Sequence, residues 1–129
     1  MSSIEIISKL NKNTTKPPIL LIHGALFSAK TWKGNLLDYF HQQGFDTHAI
    51  SLRGHGKSKG PLRTANLNDY IADVLSVIAC FDKPPILIGH SMGGFLAHHV
   101  RQIVGCSICM HSSFTHPNKI NFLVNNQYL

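Results

Sequence analysis

Cysteine is scarce and odd in number: Cys80, Cys106 and Cys109 are the three in 129 residues, in no framework spacing. That excludes a disulfide scaffold and fits a reducing compartment. No apolar run approaches the ~20 residues of a membrane-spanning helix. The start, Met1-Ser2-Ser3-Ile4-Glu5, lacks the basic residues and apolar stretch of a secretory signal. A cytoplasmic protein without a membrane partner is expected. Asp and Glu are few, six against twelve Lys and Arg, which gives a net charge of +6. Such a balance permits a nucleic-acid partner. Here, however, the basic residues are scattered, and the densest set, between Arg53 and Arg63, is interleaved with glycine rather than aromatics. No nucleic-acid motif accompanies it, so nucleic acid is not an expected partner and the stretch reads as a solvated loop. The chain is long enough for one domain with a real core and too short for two. No internal repeat or linker divides it.

What is present centres on Ile86-Leu87-Ile88-Gly89-His90-Ser91-Met92-Gly93-Gly94. The apolar run reads as a buried parallel strand. Residues 95–104 read as a helix. Between them lies G-H-S-M-G, an instance of G-x-S-x-G, and the strand–turn–helix context makes it a nucleophile elbow rather than a chance match in a glycine-rich turn. Such a turn forces Ser91 to a positive φ and exposes its hydroxyl. Gly89 and Gly93 are expected to be glycine because a Cβ would collide where strand and helix approach. The helix N-terminus would aim its N–H groups at developing negative charge.

The other elements alternate in the same way. Residues 4–8 predict a short strand at a sheet edge. Pro17-Pro18 introduces a second buried strand over 19–22, which ends in His23-Gly24-Ala25-Leu26. Residues 32–43 predict one helix, with Trp32, Leu36, Leu37 and Phe40 on one face and Gly44 as its stop. Residues 45–52 predict a third strand, followed by a loop rich in glycine. Residues 66–81 predict the clearest helix: Leu67, Tyr70, Ile71, Val74, Leu75 and Ile78 form its apolar stripe. Asn68, Asp69 and Asp73 lie opposite that stripe or near the start, and Asn66 or Asn68 supplies a cap. Residues 105–110 predict a last buried strand, and residues 111–129 an irregular tail. Alternation of this kind predicts an α/β fold: a mainly parallel sheet with helices on both faces and its site beyond the C-terminal strand ends.

Three motifs in order, His23-Gly24-Ala25, then Ser51-Leu52-Arg53-Gly54-His55-Gly56-Lys57-Ser58, then Gly89-His90-Ser91-Met92-Gly93-Gly94, resemble the α/β-hydrolase family, esterase and lysophospholipase-like members most of all. The resemblance covers residues 4–116. It implies Ser91 as nucleophile and the N–H groups of Ala25 and Met92 as oxyanion hole. It implies that His23, Gly24, Gly89 and Gly93 shape the site, and that residues 53–58 line one side of it. Many relatives carry Asp where this chain has Ser51. The implied reaction is hydrolysis of an ester or similar acyl bond on a small molecule, through an acyl-Ser91 intermediate, with no metal or cofactor.

One departure is serious. The family order is Ser, then acid, then His, yet all six acids, Glu5, Asp38, Asp46, Asp69, Asp73 and Asp82, precede Ser91. His98, His99, His111 and His116 follow it. His98 and His99 stand about two helical turns beyond Ser91, roughly 11 Å of rise, and should point away. His111, at the tip of the last strand, is the best-placed candidate base, although no carboxylate is there to orient it. His90 is expected to pack beside the elbow, and His55 to hydrogen-bond within its loop. The chain therefore reads as the N-terminal part of a hydrolase domain, truncated after about five strands. Its catalysis would be impaired in isolation. The alternative is a non-catalytic truncated or split-gene fragment that acts as a binding partner. An apolar last strand with an open edge predicts self-association or a complementing C-terminal half. Cys106 and Cys109 form C-x-x-C inside a strand, where i and i+3 face opposite sides, so they read as inert thiols.

Overall fold

The computed structural model describes residues 3–111. Five strands form one sheet in the order β1-β3-β2-β4-β5: β1 Ile6–Lys9, β2 Ile19–Ile22, β3 Thr47–Ile50, β4 Ile86–His90 and β5 Ser107–His111. Edge strand β1 runs antiparallel to β3, and every other pairing is parallel. A 3-10 helix, Ala29–Trp32, and helix α1, Leu36–Gln42, connect β2 to β3. Helix α2, Leu67–Ile78, connects β3 to β4, and α3, Met92–Val104, connects β4 to β5. The expected mainly parallel α/β sheet is what the chain forms.

The strand alternation decides which side chain joins which helix layer. Ile19, Leu21, Ile86 and Ile88 pack with Trp32, Leu36, Leu37 and Phe40 on one face. Leu20, Ile22 and Leu87 pack with Val74, Val77, Leu96, Ala97 and Val100 on the other. All four residues of β2 are fully buried. This is why its sequence is a continuous apolar run rather than an alternating one. From β2 the chain crosses to β3 on one side; from β4 it crosses to β5 on the other. The connections diverge between β2 and β4, which leaves a crevice at their C-terminal ends.

Of the boundaries that differ from the sequence reading, three have a visible cause in the backbone. The single helix expected over 32–43 is two pieces, because Gly34 adopts φ +73 and breaks the run; Asn35 then caps α1. Helix α3 begins at Met92, three residues earlier than expected, since Gly93 and Gly94 are buried helix residues and not turn residues. The last strand begins two residues later and ends one residue later than expected, so His111 closes β5 and does not begin a tail; Gly105, at φ +69, ends α3 before it. Residues 112–129, including His116 and the rest of the expected tail, lie outside the described residues.

The polar side of α2 also needs correction. Asn66 caps the helix through a reciprocal pair with Asp69, but Asp73 is not a solvent-facing residue. It is 2% exposed and accepts from the Arg53 N–H at 2.9 Å and from Arg53 Nη2 at 2.8 Å. The pair raises the Arg53 pKa above its ordinary value, chiefly through the hydrogen bonds to Asp73. Arg53 is thus an anchor for the loop after β3, not the solvated cation expected there. Asp73→Ala is expected to cost about 2 kcal/mol, since it leaves the Arg53 backbone N–H without its acceptor and the guanidinium with only Asp69, at 3.6 Å. Urea denaturation of the variant against the parent chain checks this value.

Candidate active site

Ser91 is the residue between β4 and α3. Its backbone is at φ 53, ψ −115, a conformation rare outside glycine, and the residue is exposed. The strain is held in place by close packing. A Cβ on Gly89 would fall on the carbonyl of Gly93, and a Cβ on Gly93 would fall on the carbonyl of Ile22 and lie 2.6 Å from that of His23. Both glycines therefore let the first turn of α3 press against β2 and β4. The N–H groups of Gly94 and Phe95 bond to the Ser91 carbonyl at 3.0 and 3.2 Å. The first N–H of a helix, here that of Met92, has no acceptor inside the helix and is directed outward at its positive end.

The loop after β2 meets this turn from the neighbouring strand. In register, Ile22 pairs with Gly89, so His23 and Gly24 run alongside His90 and Ser91. A Cβ on Gly24 would lie 3.4 Å from the Ser91 Cβ and 3.0 Å from His90 Nδ1. Gly24 is thus in contact with the elbow. Its carbonyl accepts from the Phe27 N–H at 3.2 Å in a tight turn that puts Ala25 outward and holds Leu26 at φ 66. Leu26 is 81% exposed, and the Phe27 ring packs edge-on against His90 at 5.8 Å. Leu26 fills the third position of the turn from Gly24 to Phe27, where a positive φ favours glycine, so a leucine there gave no signal in the sequence.

His23 is fully buried, and its role follows from its two ring nitrogens. Nε2 accepts from the Leu52 N–H at 2.9 Å, so Nδ1 carries the proton and donates it to the Gly24 carbonyl at 2.7 Å. Burial, opposed by the bond to Gly24 and helped by the nearby His55 ring, pushes its pKa down to about 4. A neutral imidazole with both nitrogens engaged is a strut for the loop and not a base. His55 does what the sequence suggested: Nδ1 bonds to the Arg53 carbonyl at 3.0 Å within its own loop, and its ring packs on His23 at 4.9 Å.

The remaining histidines behave in two ways. His98 bonds to Gln102 and His99 packs edge-on against Phe95 along α3, leading away from the elbow. His111 pairs through its backbone with His90 on the correct rim; its side chain lies outside the described residues. Among the described residues, Glu5 bonds Ser51, Asp38 bonds Lys9, Asp46 bonds Asn11, the Asp69 carboxylate accepts from the Asn66 N–H at the start of α2, and Asp73 bonds Arg53. The described residues hold no cluster of His, Cys, Asp or Glu able to bind a metal. No helix there is long and apolar enough to cross a membrane.

The strained serine lies between a buried strand and a helix, with close-packed glycines on either side and the His-Gly loop of the adjacent strand against it; comparison with known proteins places the chain as a whole. The sequence profile of the alpha/beta hydrolase family covers residues 19–125. The chain belongs to the α/β-hydrolase family. It is 33% identical over 116 residues to protein phosphatase methylesterase 1 of Bos taurus, covering 77% of this chain and 30% of that protein. To a non-heme chloroperoxidase of Streptomyces lividans it is 35% identical over 78 residues, covering 60% of this chain and 28% of that one. Among solved structures, the thioesterase domain from the curacin biosynthetic pathway superposes with a TM-score of 0.73 at 25% identity, over 95% of this chain and 46% of that one. Mouse alpha/beta hydrolase domain-containing protein 10 superposes at 0.72 and 24% identity, over 85% and 44%. The chain thus spans under a third of the length of these curated relatives and under half of these solved ones.

Proposed function

We propose that this α/β-hydrolase chain is part of a serine hydrolase domain that cleaves an ester or similar acyl bond on a small molecule, with Ser91 as nucleophile. The observation that carries the reading is the Ser91 backbone at φ 53, enforced by Gly89 and Gly93 and met by Gly24. Ser91 Oγ attacks the acyl carbon while the carbonyl oxygen, becoming negative, takes the N–H groups of Ala25 and Met92 as donors. Collapse forms the acyl-Ser91 ester and breaks the bond to the leaving alcohol. The hydroxyl proton passes through a base to that alcohol, and water repeats the sequence to release the acid.

The base and its orienting acid are the parts this chain supplies poorly. Every carboxylate precedes Ser91 in sequence, and His111 has no acid after the nucleophile to align it. We therefore assign the isolated chain a weak activity, and a complementing polypeptide that pairs with the outer side of β5, where no strand pairs among the described residues, would supply what is missing. Self-association through the same edge is the competing outcome, and size-exclusion chromatography separates the two. A non-catalytic binding role is favoured by the engaged carboxylates alone.

Hydrolysis of p-nitrophenyl esters by the chain and by Ser91→Ala tests the reading. A slow rate is expected, roughly 10³–10⁴ above water, the residue left when a triad member is absent. Release of one p-nitrophenolate per chain by acylation of Ser91 is expected on top of it and should be abolished in Ser91→Ala. A parent chain that releases no such stoichiometric p-nitrophenolate would favour the non-catalytic role. A rate typical of complete esterases, lost in Ser91→Ala, would make His111 a working base.

A further inference from the structure

The loop that carries Ala25 has little apolar anchorage of its own, since Ala25, Leu26 and Phe27 are all exposed. What fixes it lies at its two ends. At the near end, His23 bridges the Leu52 N–H and the Gly24 carbonyl. At the far end, the Ala29 N–H donates to Ser51 Oγ at 2.9 Å. Ser51 and Leu52 are successive residues just past the end of β3, so one strand tip clamps both ends of the loop. Ser51 is fully buried, and its hydroxyl donates to Glu5 Oε1 at 2.7 Å.

A hydroxyl has one proton and can rotate. The Glu5 carboxylate takes that proton in a charge-assisted bond, which leaves the Ser51 lone pairs for Ala29. Glu5 is itself held. Its Oε1 accepts from the Lys57 N–H at 3.1 Å, its backbone N–H donates to Ser58 Oγ at 2.8 Å, and its carbonyl accepts from the Ser51 N–H at 3.0 Å. The bonds from Ser51 and from the Lys57 backbone, with the charges of Lys57 and Lys30, lower its pKa against a smaller desolvation effect. Gly56 completes the cradle: a Cβ there would lie 2.5 Å from both Glu5 Oε1 and Ser51 Oγ.

Building on the serine-hydrolase reading, we propose that Glu5 and Ser51 are positioning residues for the oxyanion loop, Glu5 acting through the Ser51 hydroxyl to pin Ala29 and so place the Ala25 N–H opposite Ser91. Neither residue touches the substrate. The relation could not be read from the sequence, where the two stand 46 residues apart, and Glu5 appears only as a lone acid in an apolar strand.

The test uses the full chain with three readouts: backbone amide exchange at Ala29, exchange at core residues Leu21 and Ile88, and the rate at which an alkyl fluorophosphonate modifies Ser91. Glu5→Ala should speed exchange at Ala29, leave Leu21 and Ile88 protected, and slow modification of Ser91 about tenfold, a modest loss for a displaced catalytic group. The double variant Glu5→Ala/Ser51→Asp moves a carboxylate next to the Ala29 N–H, into space Glu5 has vacated. It should restore both Ala29 protection and the modification rate. If Glu5→Ala leaves both at parental values, or if the double variant rescues neither while the core stays protected, the proposal is wrong. If Glu5→Ala loses core protection as well, the rescue by the double variant still decides. Failure of the parent chain to be modified at Ser91 would overturn the hydrolase reading instead, and Ala29 exchange would still report on the clamp.

Discussion

Gly93→Ala is expected to destabilise the chain by about 3 kcal/mol or more, the upper range for overpacking a tight contact. On intrinsic preference the change should help, since alanine in a helix interior is favoured over glycine by about 1 kcal/mol. Here the added methyl is driven onto the carbonyl of Ile22 and to 2.6 Å from that of His23. Both are backbone atoms next to fully buried side chains, so neither can yield as a flexible side chain would. Relief requires α3 to lift from β2, which opens the layer formed by Leu20, Ile22, Leu96 and Val100. The same displacement would carry Met92 away from Gly24. A urea midpoint well below that of the parent is the expected result. A midpoint at or above it would mean that the close approach of α3 to β2 is not what requires glycine here.

Acid is expected to remove about 3 kcal/mol of stability through His23 alone. Its folded pKa of about 4 lies below the ordinary 6.5, and each unit is worth about 1.4 kcal/mol. Between those values the unfolded chain binds a proton that the folded chain refuses. Stability from this group is therefore fully present above pH 6.5, falls as pH drops, and is gone below pH 4. Burial also lowers the pKa of His48, so it contributes in the same direction. Denaturant midpoints taken from pH 7 to 4.5 should fall steeply for the parent chain. They should fall less steeply for His23→Gln, which starts lower because it loses one of the two strut bonds. Parallel curves for the two would show that His23 accepts a proton in the folded state.

The elements that position the site were legible because they rest on local patterns. Buried β2 and β4 are continuous apolar runs. The elbow has its glycines at fixed offsets from Ser91, and the positive φ expected of that serine is observed. The Gly34 break was missed because Trp32, Leu36, Leu37 and Phe40 share one buried face whether or not the helix is continuous. Arg53 with Asp73, and Glu5 with Ser51, were missed for a different reason. Periodicity reports which face is apolar, and it carries no information on which distant polar groups pair. Asp73 looked like a surface residue because a buried carboxylate is acceptable only when a partner arrives from elsewhere, and that partner sits on a loop twenty positions away in sequence. Leu26 at φ 66 was missed because the turn position it fills is signalled in a sequence by glycine or asparagine, not by leucine.

The central claim is that the strained serine is chemically a nucleophile. Mass analysis of the intact chain after incubation with an alkyl fluorophosphonate, followed by peptide mapping, tests it most directly, because this reagent needs the serine hydroxyl and an oxyanion site but not a complete turnover cycle. A single adduct that forms slowly on Ser91, and is absent in Ser91→Ala, is the predicted result. An unmodified chain, or an adduct spread over other serines and retained in Ser91→Ala, would contradict it.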